Sequence, residues 1–243
     1  MDTSDFKHHY SQQFNAELED LRSHVLTMGG LVEKQLEMAI DALNNGQSDP
    51  AEHVVSNDYK VNAYDVDIDE RCTKILALRK PSASDLRLVL AVIKMTADLE
   101  RIGDEATRVA RMAIRAASGD HGRNLFSQIA HLGSQVQGML HRVLDAFARM
   151  DVDAAIDVAH EDGNIDREYE SVMRQSMTYM MEDPRSIKRV MNVTWCARSL
   201  ERIGDHAKNI ARHYVYYARG DNVSHVKAKD LRDAAGLSRS GDS

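Results

Sequence analysis

The sequence predicts an all-α protein built as two tandem three-helix bundles related by pseudo-two-fold symmetry, with six long helices. Three observations predict it. Composition is the first: 43% hydrophobic residues with only 3 prolines and 4 phenylalanines among 243 residues, against 12 methionines, favours helix and gives few strand signals. The second is the placing of breakers, since each proline stands where a helix should begin. The third is duplication. LERIGD at 99–104 returns as LERIGD at 200–205, and self-similarity at a fixed offset marks a repeated structural unit.

The first helix spans 6–44 and stops at NNGQS (44–48). The second spans 50–79, where Asp49-Pro50 reads as an N-cap followed by the first helical residue. After RKPSAS (79–84) the third spans 84–117, with Asp85 three residues after Ser82 in the manner of a capping box. SGDHGRN (118–124) separates the halves, and the fourth helix follows over 124–149. ARMD (148–151) leads into the fifth at 152–181. The sixth, 185–219, follows MEDP (181–184), with Asp183 capping ahead of Pro184. Rods of about 25 to 40 residues exceed the usual globular helix and suit an elongated bundle. The offset that carries 99 to 200 also pairs Leu86 with Ile187, Val92 with Val193 and Ala106 with Ala207, so helix three corresponds to helix six. The offset from 58 to 162 aligns Asp58 and Asn62 with Asp162 and Asp166, pairing helix two with helix five. Residues 1–119 and 120–220 are therefore the two bundles, and the polar, charged segment 221–243 reads as a flexible tail.

A formal charge of −7, from 38 acidic and 31 basic residues, does not favour a grip on nucleic-acid backbone, so direct DNA binding is not expected. MDTSDFKHHYSQQF lacks the basic-then-apolar layout of a secretion signal, and no apolar run approaches the roughly 20 residues that cross a bilayer. A cytoplasmic protein is expected. Cys72 and Cys196 stand alone in helical patterns, without zinc or redox spacing, and read as small buried hydrophobes.

Helical arithmetic assigns the faces. The apolar stripe of helix three is Leu88, Val92, Met95, Leu99, Ile102, Ala106, Val109 and Ala113. Glu100 and Asp104 lie off it, on a second line that begins as Leu86, Val89 and Ile93 and then turns acidic. Helix six repeats that line as Ile187, Val190, Thr194, Glu201 and Asp205. In helix two, Asp58, Asn62, Asp65 and Asp69 sit on one shoulder of the stripe Val54, Val61, Ile68, Cys72 and Ile75. Asp162 and Asp166 take the same angles in helix five around Val158, Ile165 and Val172. Carboxylates at i and i+4 repel by a few tenths of a kcal/mol on an exposed helix, and a bridging cation would reverse that cost. A solvated charged face is the plain alternative for any one such pair. Two helices per half carry them at matched phase, twice in the chain, which points to divalent metal. An oxygen-only donor set favours Mg²⁺, Mn²⁺ or iron over copper, with zinc possible despite the lack of His or Cys ligands. Gly103 and Gly204, mid-helix, each cost about 1 kcal/mol relative to Ala, and each reads as a place of close helix approach.

The repeated LERIGD, its second copy continuing as His206-Ala207-Lys208-Asn209-Ile210-Ala211, together with SDLR at 84–87, resembles the PhoU family of phosphate-uptake regulators over nearly the whole chain to about residue 218. The resemblance implies a cytoplasmic bacterial adaptor, not an enzyme. Such an adaptor damps phosphate uptake and represses the phosphate regulon by contacting the ATPase subunit of the phosphate ABC transporter and the sensor histidine kinase, meeting the membrane only through those partners. It also implies multinuclear metal clusters on Glu/Asp-x-x-x-Asp motifs, which fall here on Glu100 and Asp104, Asp162 and Asp166, and Glu201 and Asp205. Asp58 and Asn62 depart from the motif because an amide replaces an acid, and Arg108 stands where the second copy has Asn209. Both departures predict that the Glu201/Asp205 cluster fills first. Apolar second faces such as Leu86, Val89 and Ile93, with the methionine content, predict a homodimer, and Arg87, Arg101 and Arg202 are candidates for docking. The competing readings are a carboxylate-bridged di-iron oxidase, which needs Glu-x-x-His pairs that the 11 histidines do not form, and a metal-free structural dimer module.

Overall fold

A computed structural model describes residues 3–117 and 127–220 and, beyond them, 226, 230–234 and 236; side chains are described from Gln12 and, in the second half, from Ile129. The helices are α1 (Thr3–Asn45), α2 (Asp49–Asn57), α3 (Tyr59–Arg79), α4 (Ala83–Ala117), α5 (Ser127–Arg149), α6 (Val152–Glu182), α7 (Ile187–Arg219) and a single turn, α8 (Leu231–Ala234). The all-α reading holds. Helix two of the sequence analysis is α2 and α3 together. The two pieces meet at Asp58, whose angles stay right-handed helical (φ −55°, ψ −36°) while its carbonyl accepts from both Val61 N and Asn62 N. The connection 118–126 lies outside the described residues, and with it the expected domain boundary and the start of helix four.

Local chemistry sets the ends. Asp151 caps α6 by accepting from Ala154 N at 2.9 Å. Asp183 accepts from Arg185 N at 3.1 Å and opens a 3₁₀ turn, Pro184–Ser186, ahead of α7. Lys80 (φ 47°) ends α3 in the left-handed region one residue before Pro81, and Gly220 (φ 87°) ends α7, where the lack of a Cβ removes the penalty. Asp49 is itself the first residue of α2, so Ser48 holds the cap position expected of Asp49.

In the first half α1, α2 and α3 pack on α4; in the second α5 and α6 pack on α7. The halves meet along α4 against α7 and α1 against α5. Pairs Asp98–His206, Glu105–Arg202 and Met112–Cys196 make α4 and α7 antiparallel, an arrangement compatible with a two-fold perpendicular to the two helices. Every residue of the stripes predicted for helices two, three and five is buried, and one continuous core joins the halves. Cys72 and Cys196 lie in that core, where burial pushes both thiols up to about 12, far from the thiolate needed for metal or redox work. Among the described residues no helix is long and apolar enough to cross a membrane.

One feature departs from the sequence reading and another agrees with it. The tail expected to be flexible docks on the second half where it is described: Leu231 is fully buried, and Arg232 pairs with Asp153 and Asp157 of α6 at 2.8 Å each. One apolar residue and one arginine were enough to anchor a segment whose average composition is polar. The motif glycines, in turn, are packing positions. A Cβ on Gly204 would stand 3.1 Å from Ile165 Cγ2 in α6, and one on Gly103 would stand 3.3 Å from Val61 Cγ1 in α3. Gly204→Ala gains about 1 kcal/mol of helix propensity and loses about 1–3 kcal/mol to overpacking. A net loss is expected, read as a lower urea midpoint; a raised midpoint would contradict the packing role.

Candidate metal centre and its surroundings

The acid line of α4 and the shoulder of α3 face each other. Glu100 is partly buried and Asp104 exposed. Burial raises the Glu100 carboxyl above its ordinary range, Asp104, Asp65 and Asp58 raise it further, and Arg101 offsets part of this. Asp58 accepts from the buried hydroxyl of Thr107 at 3.0 Å. Asn62 is exposed and brings no charge. Asp65 does the work expected of it: burial and then Asp69 raise its carboxyl. The first-half cluster is thus Asp58, Asp65, Glu100 and Asp104, with Asp69 one turn beyond.

The second half gathers all four predicted acids. Burial raises Glu201, opposed by Arg198 and reinforced by Asp205, Asp166 and Asp162. Burial likewise raises Asp166, with Asp162 and Asp205 adding to it and Lys208 opposing. A cation already sits among them. Lys208 Nζ donates to Asp162 Oδ2 at 2.5 Å and to Asp205 Oδ1 at 2.7 Å, with the Lys208 and Asp162 side chains only 16% and 14% exposed. Burial disfavours the ammonium, yet the hydrogen bonds to Asp162 and Asp205 outweigh it and hold its pKa above the ordinary value. Arg198 Nη1 donates to both oxygens of Glu201 at 2.8 Å.

These contacts bear on the premises from which the order of filling was expected. Arg108 turns to Glu105 at 2.6 Å, not to Asp104, so it does not neutralise the first cluster. The second cluster holds Lys208 and Arg198, where the duplication puts Thr107 and Ala97 in the first. The first half is the less neutralised of the two. The carboxylates are neighbours in both halves without forming a closed shell: among the described residues no three His, Cys, Asp or Glu side chains converge tightly enough to hold an ion. An all-oxygen set of clustered carboxylates fits a hard divalent cation by donor chemistry, and binding requires the side chains to close.

A raised carboxyl pKa in the fold means that the native state binds protons more readily than the unfolded chain. Such a group therefore destabilises the fold above its folded pKa and is relieved as pH falls towards the ordinary range near 4. Metal-free Glu100→Gln is expected to be slightly more stable than wild type at pH 7, by about 0.5 kcal/mol or less because the site is partly solvated, and equal to it near pH 4. Chemical denaturation at the two pH values checks this.

A tandem pair of PhoU domains matches residues 25–113 and 129–213, covering both acid clusters and the helices that carry them. This chain belongs to the PhoU family. It is 53% identical over 226 residues, 93% of each chain, to the "Phosphate-specific transport system accessory protein PhoU homolog" of Pseudomonas aeruginosa. It is 49% identical over 231 residues, 95% of each chain, to the protein of that description, PhoU, from Escherichia coli K12. The crystal structure of PhoU from Pseudomonas aeruginosa superposes with a TM-score of 0.83 at 53% identity, over 85% of this chain and 99% of that one. That of the phosphate transport system regulatory protein PhoU from Streptococcus pneumoniae gives 0.79 at 29% identity, over 86% and 99%.

A third polar cluster was not foreseen. Asp98 of α4, 4% exposed, accepts from His206 Nδ1 at 2.8 Å and lies 3.2 Å from His213 Nε2. Burial raises its carboxyl, but the two histidines outweigh this and hold it below the ordinary range. Arg202, read as a docking candidate, instead pairs with buried Glu105 across the same α4–α7 seam at 2.9 Å, and Arg87 donates to the Tyr217 carbonyl at 3.5 Å. Arg101 remains exposed. The duplication signal hid this seam, because it pairs Asp98 with Ser199 and His206 with Glu105.

Proposed function

We propose that this PhoU-family chain is a non-enzymatic, cytoplasmic accessory protein of phosphate transport. It acts as an adaptor that lowers phosphate uptake and represses the phosphate regulon through the transporter ATPase subunit and the sensor histidine kinase. The observation that carries this reading is the near full-length likeness to relatives whose names state a phosphate-specific transport accessory role. The net negative charge is consistent with action through protein partners and not through DNA. Divalent metal on the acid clusters, Mg²⁺, Mn²⁺, iron or zinc, would neutralise the outer face of α3, α4, α6 and α7 and so set the surface those partners meet. Exposed apolar rows at Leu86 and Leu90 and at Ile187, Met191 and Trp195 support self-association as a homodimer.

In a pull-down from phosphate-replete cells, the tagged chain is expected to retain the transporter ATPase or the kinase. Failure with both removes the adaptor reading. The oxidase alternative is disfavoured by the position of the acids on the solvent side of the bundle, and oxygen uptake by an iron-loaded sample would revive it.

A further inference from the structure

Glu105 of α4 is buried, its side chain 3% exposed, and one of its oxygens takes two arginines. Arg108 Nη1, one turn further along α4, donates to Glu105 Oε1 at 2.6 Å, and Arg202 Nε of α7, across the seam, lies 2.9 Å from the same atom. One carboxylate thus holds two like charges side by side. Each contact uses one nitrogen of a guanidinium, whose fork carries five N–H donors, and the two arginine side chains are still 52% and 46% exposed. The unused donors are open to a ligand while their anchor is buried.

The duplication makes this clamp only once. The offset that carries Leu99 to Leu200 turns Glu105 into His206 and Arg108 into Asn209, and makes Arg202 the copy of Arg101. The copy of the Glu105–Arg202 pair would therefore be His206 with Arg101, and His206 is bound to Asp98 instead. Arg101 is exposed, one turn before Glu105 on α4, with no hydrogen-bonded partner among the described residues. It adds a third guanidinium beside the clamp. The other acids nearby are engaged elsewhere: Asp98 by two histidines, Asp205 by Lys208 and Glu201 by Arg198, while Asp104 acts on Glu100. Three arginines against one carboxylate leave two positive charges unbalanced, in a chain whose net charge is −7.

We propose that the clamp on the α4–α7 seam binds a dianionic phosphoryl group, with Arg108 and Arg202 as paired forks and Arg101 as a third donor. Guanidinium forks match the oxygen pairs of a tetrahedral oxyanion, and a dianion balances the charge left over. Glu105 holds two of the forks before the ligand arrives, so less side-chain freedom is lost on binding. Because Arg108 belongs to the first half and Arg202 to the second, the bound group ties the halves together. The site stands independently of the adaptor reading and of the acid clusters, since it takes an anion where they would take a cation. Free orthophosphate and a phosphomonoester on another molecule offer the same chemistry, and the test tells them apart.

The phosphorus-31 resonance of inorganic phosphate, and separately that of O-phosphoserine, is followed on titration with the full-length chain in a phosphate-free buffer containing EDTA, so that no metal ion carries the ligand. Saturable broadening is expected; with orthophosphate it assigns the free ion, and with O-phosphoserine alone it assigns a phosphorylated side chain. Arg108→Gln and Arg202→Gln are each expected to weaken the affinity by about tenfold or more, the usual worth of a charge-assisted hydrogen bond. Each variant leaves Glu105 one arginine, and circular dichroism should show native folds. Arg185→Gln, at a side chain 93% exposed and paired with Asp183, is expected to change nothing. No broadening with either ligand, or equal affinity in wild type, Arg108→Gln and Arg202→Gln, overturns the assignment. Failure of the pull-down with phosphoryl binding intact counts against the adaptor reading alone.

Discussion

Asp98→Ala is expected to destabilise the protein by about 1–3 kcal/mol, the usual cost of leaving a buried hydrogen-bond donor without its acceptor. For a chain of this size that is a fall in melting temperature of roughly 2–12 °C. The carboxylate is the point at which α4 of the first half holds two imidazoles of α7 in the second. Its loss leaves the Nδ1–H of His206, 9% exposed, without its acceptor. The pH dependence gives a second reading. A folded pKa held below the unfolded one means that Asp98 contributes its stability above the ordinary carboxylate pKa, near 4, and loses it as pH falls through the lower folded value. Wild type should therefore show an acid-induced loss of stability below about pH 4 that Asp98→Ala lacks. Thermal melts of the two proteins from pH 7 to pH 3 decide it; a variant within about 1 kcal/mol of wild type at pH 7 would mean that packing alone holds the seam.

The stripes on α3, α4 and α6 were legible because a 3.6-residue period is written along one helix, and burial follows it. The four acids of the second half were legible for the same reason, being i, i+4 pairs repeated at a fixed offset. The weakness of Asn62 was legible as well, since it brings no charge to the first cluster. Long-range pairing was not. Asp98 meets His206 and His213 more than 100 residues away, and a duplication search looks for residues that match, whereas this seam is made of residues that differ between the copies. Lys208 was in plain view inside the second LERIGDHAK, three residues after Asp205 on the same helical face. Comparing it with Thr107 in the first copy would have shown that one site has its own counter-ion. The docking of Leu231 was illegible for a different reason: composition averages over a segment, and one apolar side chain reaching the core leaves no trace in that average.

Lys208→Met tests whether that counter-ion is what keeps the second cluster together. The substitution keeps the length and most of the apolar stem of the side chain while removing the ammonium that joins Asp162 to Asp205. Four carboxylates would then face one another with only Arg198 to offset them, and a loss of about 1–3 kcal/mol is expected in metal-free buffer. A divalent cation should restore it, because a ligand that binds only the folded state stabilises by about 2.7 kcal/mol at one hundred times its dissociation constant. The wild type, with the ammonium in place, should gain less from the same Mg²⁺ or Mn²⁺ at this site. The alkaline limb separates charge from packing. A lysine pKa raised in the fold contributes its stability below about 10.4 and loses it as pH rises through the folded value, so wild type should weaken there while Lys208→Met does not. If the variant melts with wild type in the absence of metal and gains nothing from Mg²⁺ or Mn²⁺, the lysine is an ordinary surface residue, and the argument that the second half is neutralised from within fails with it.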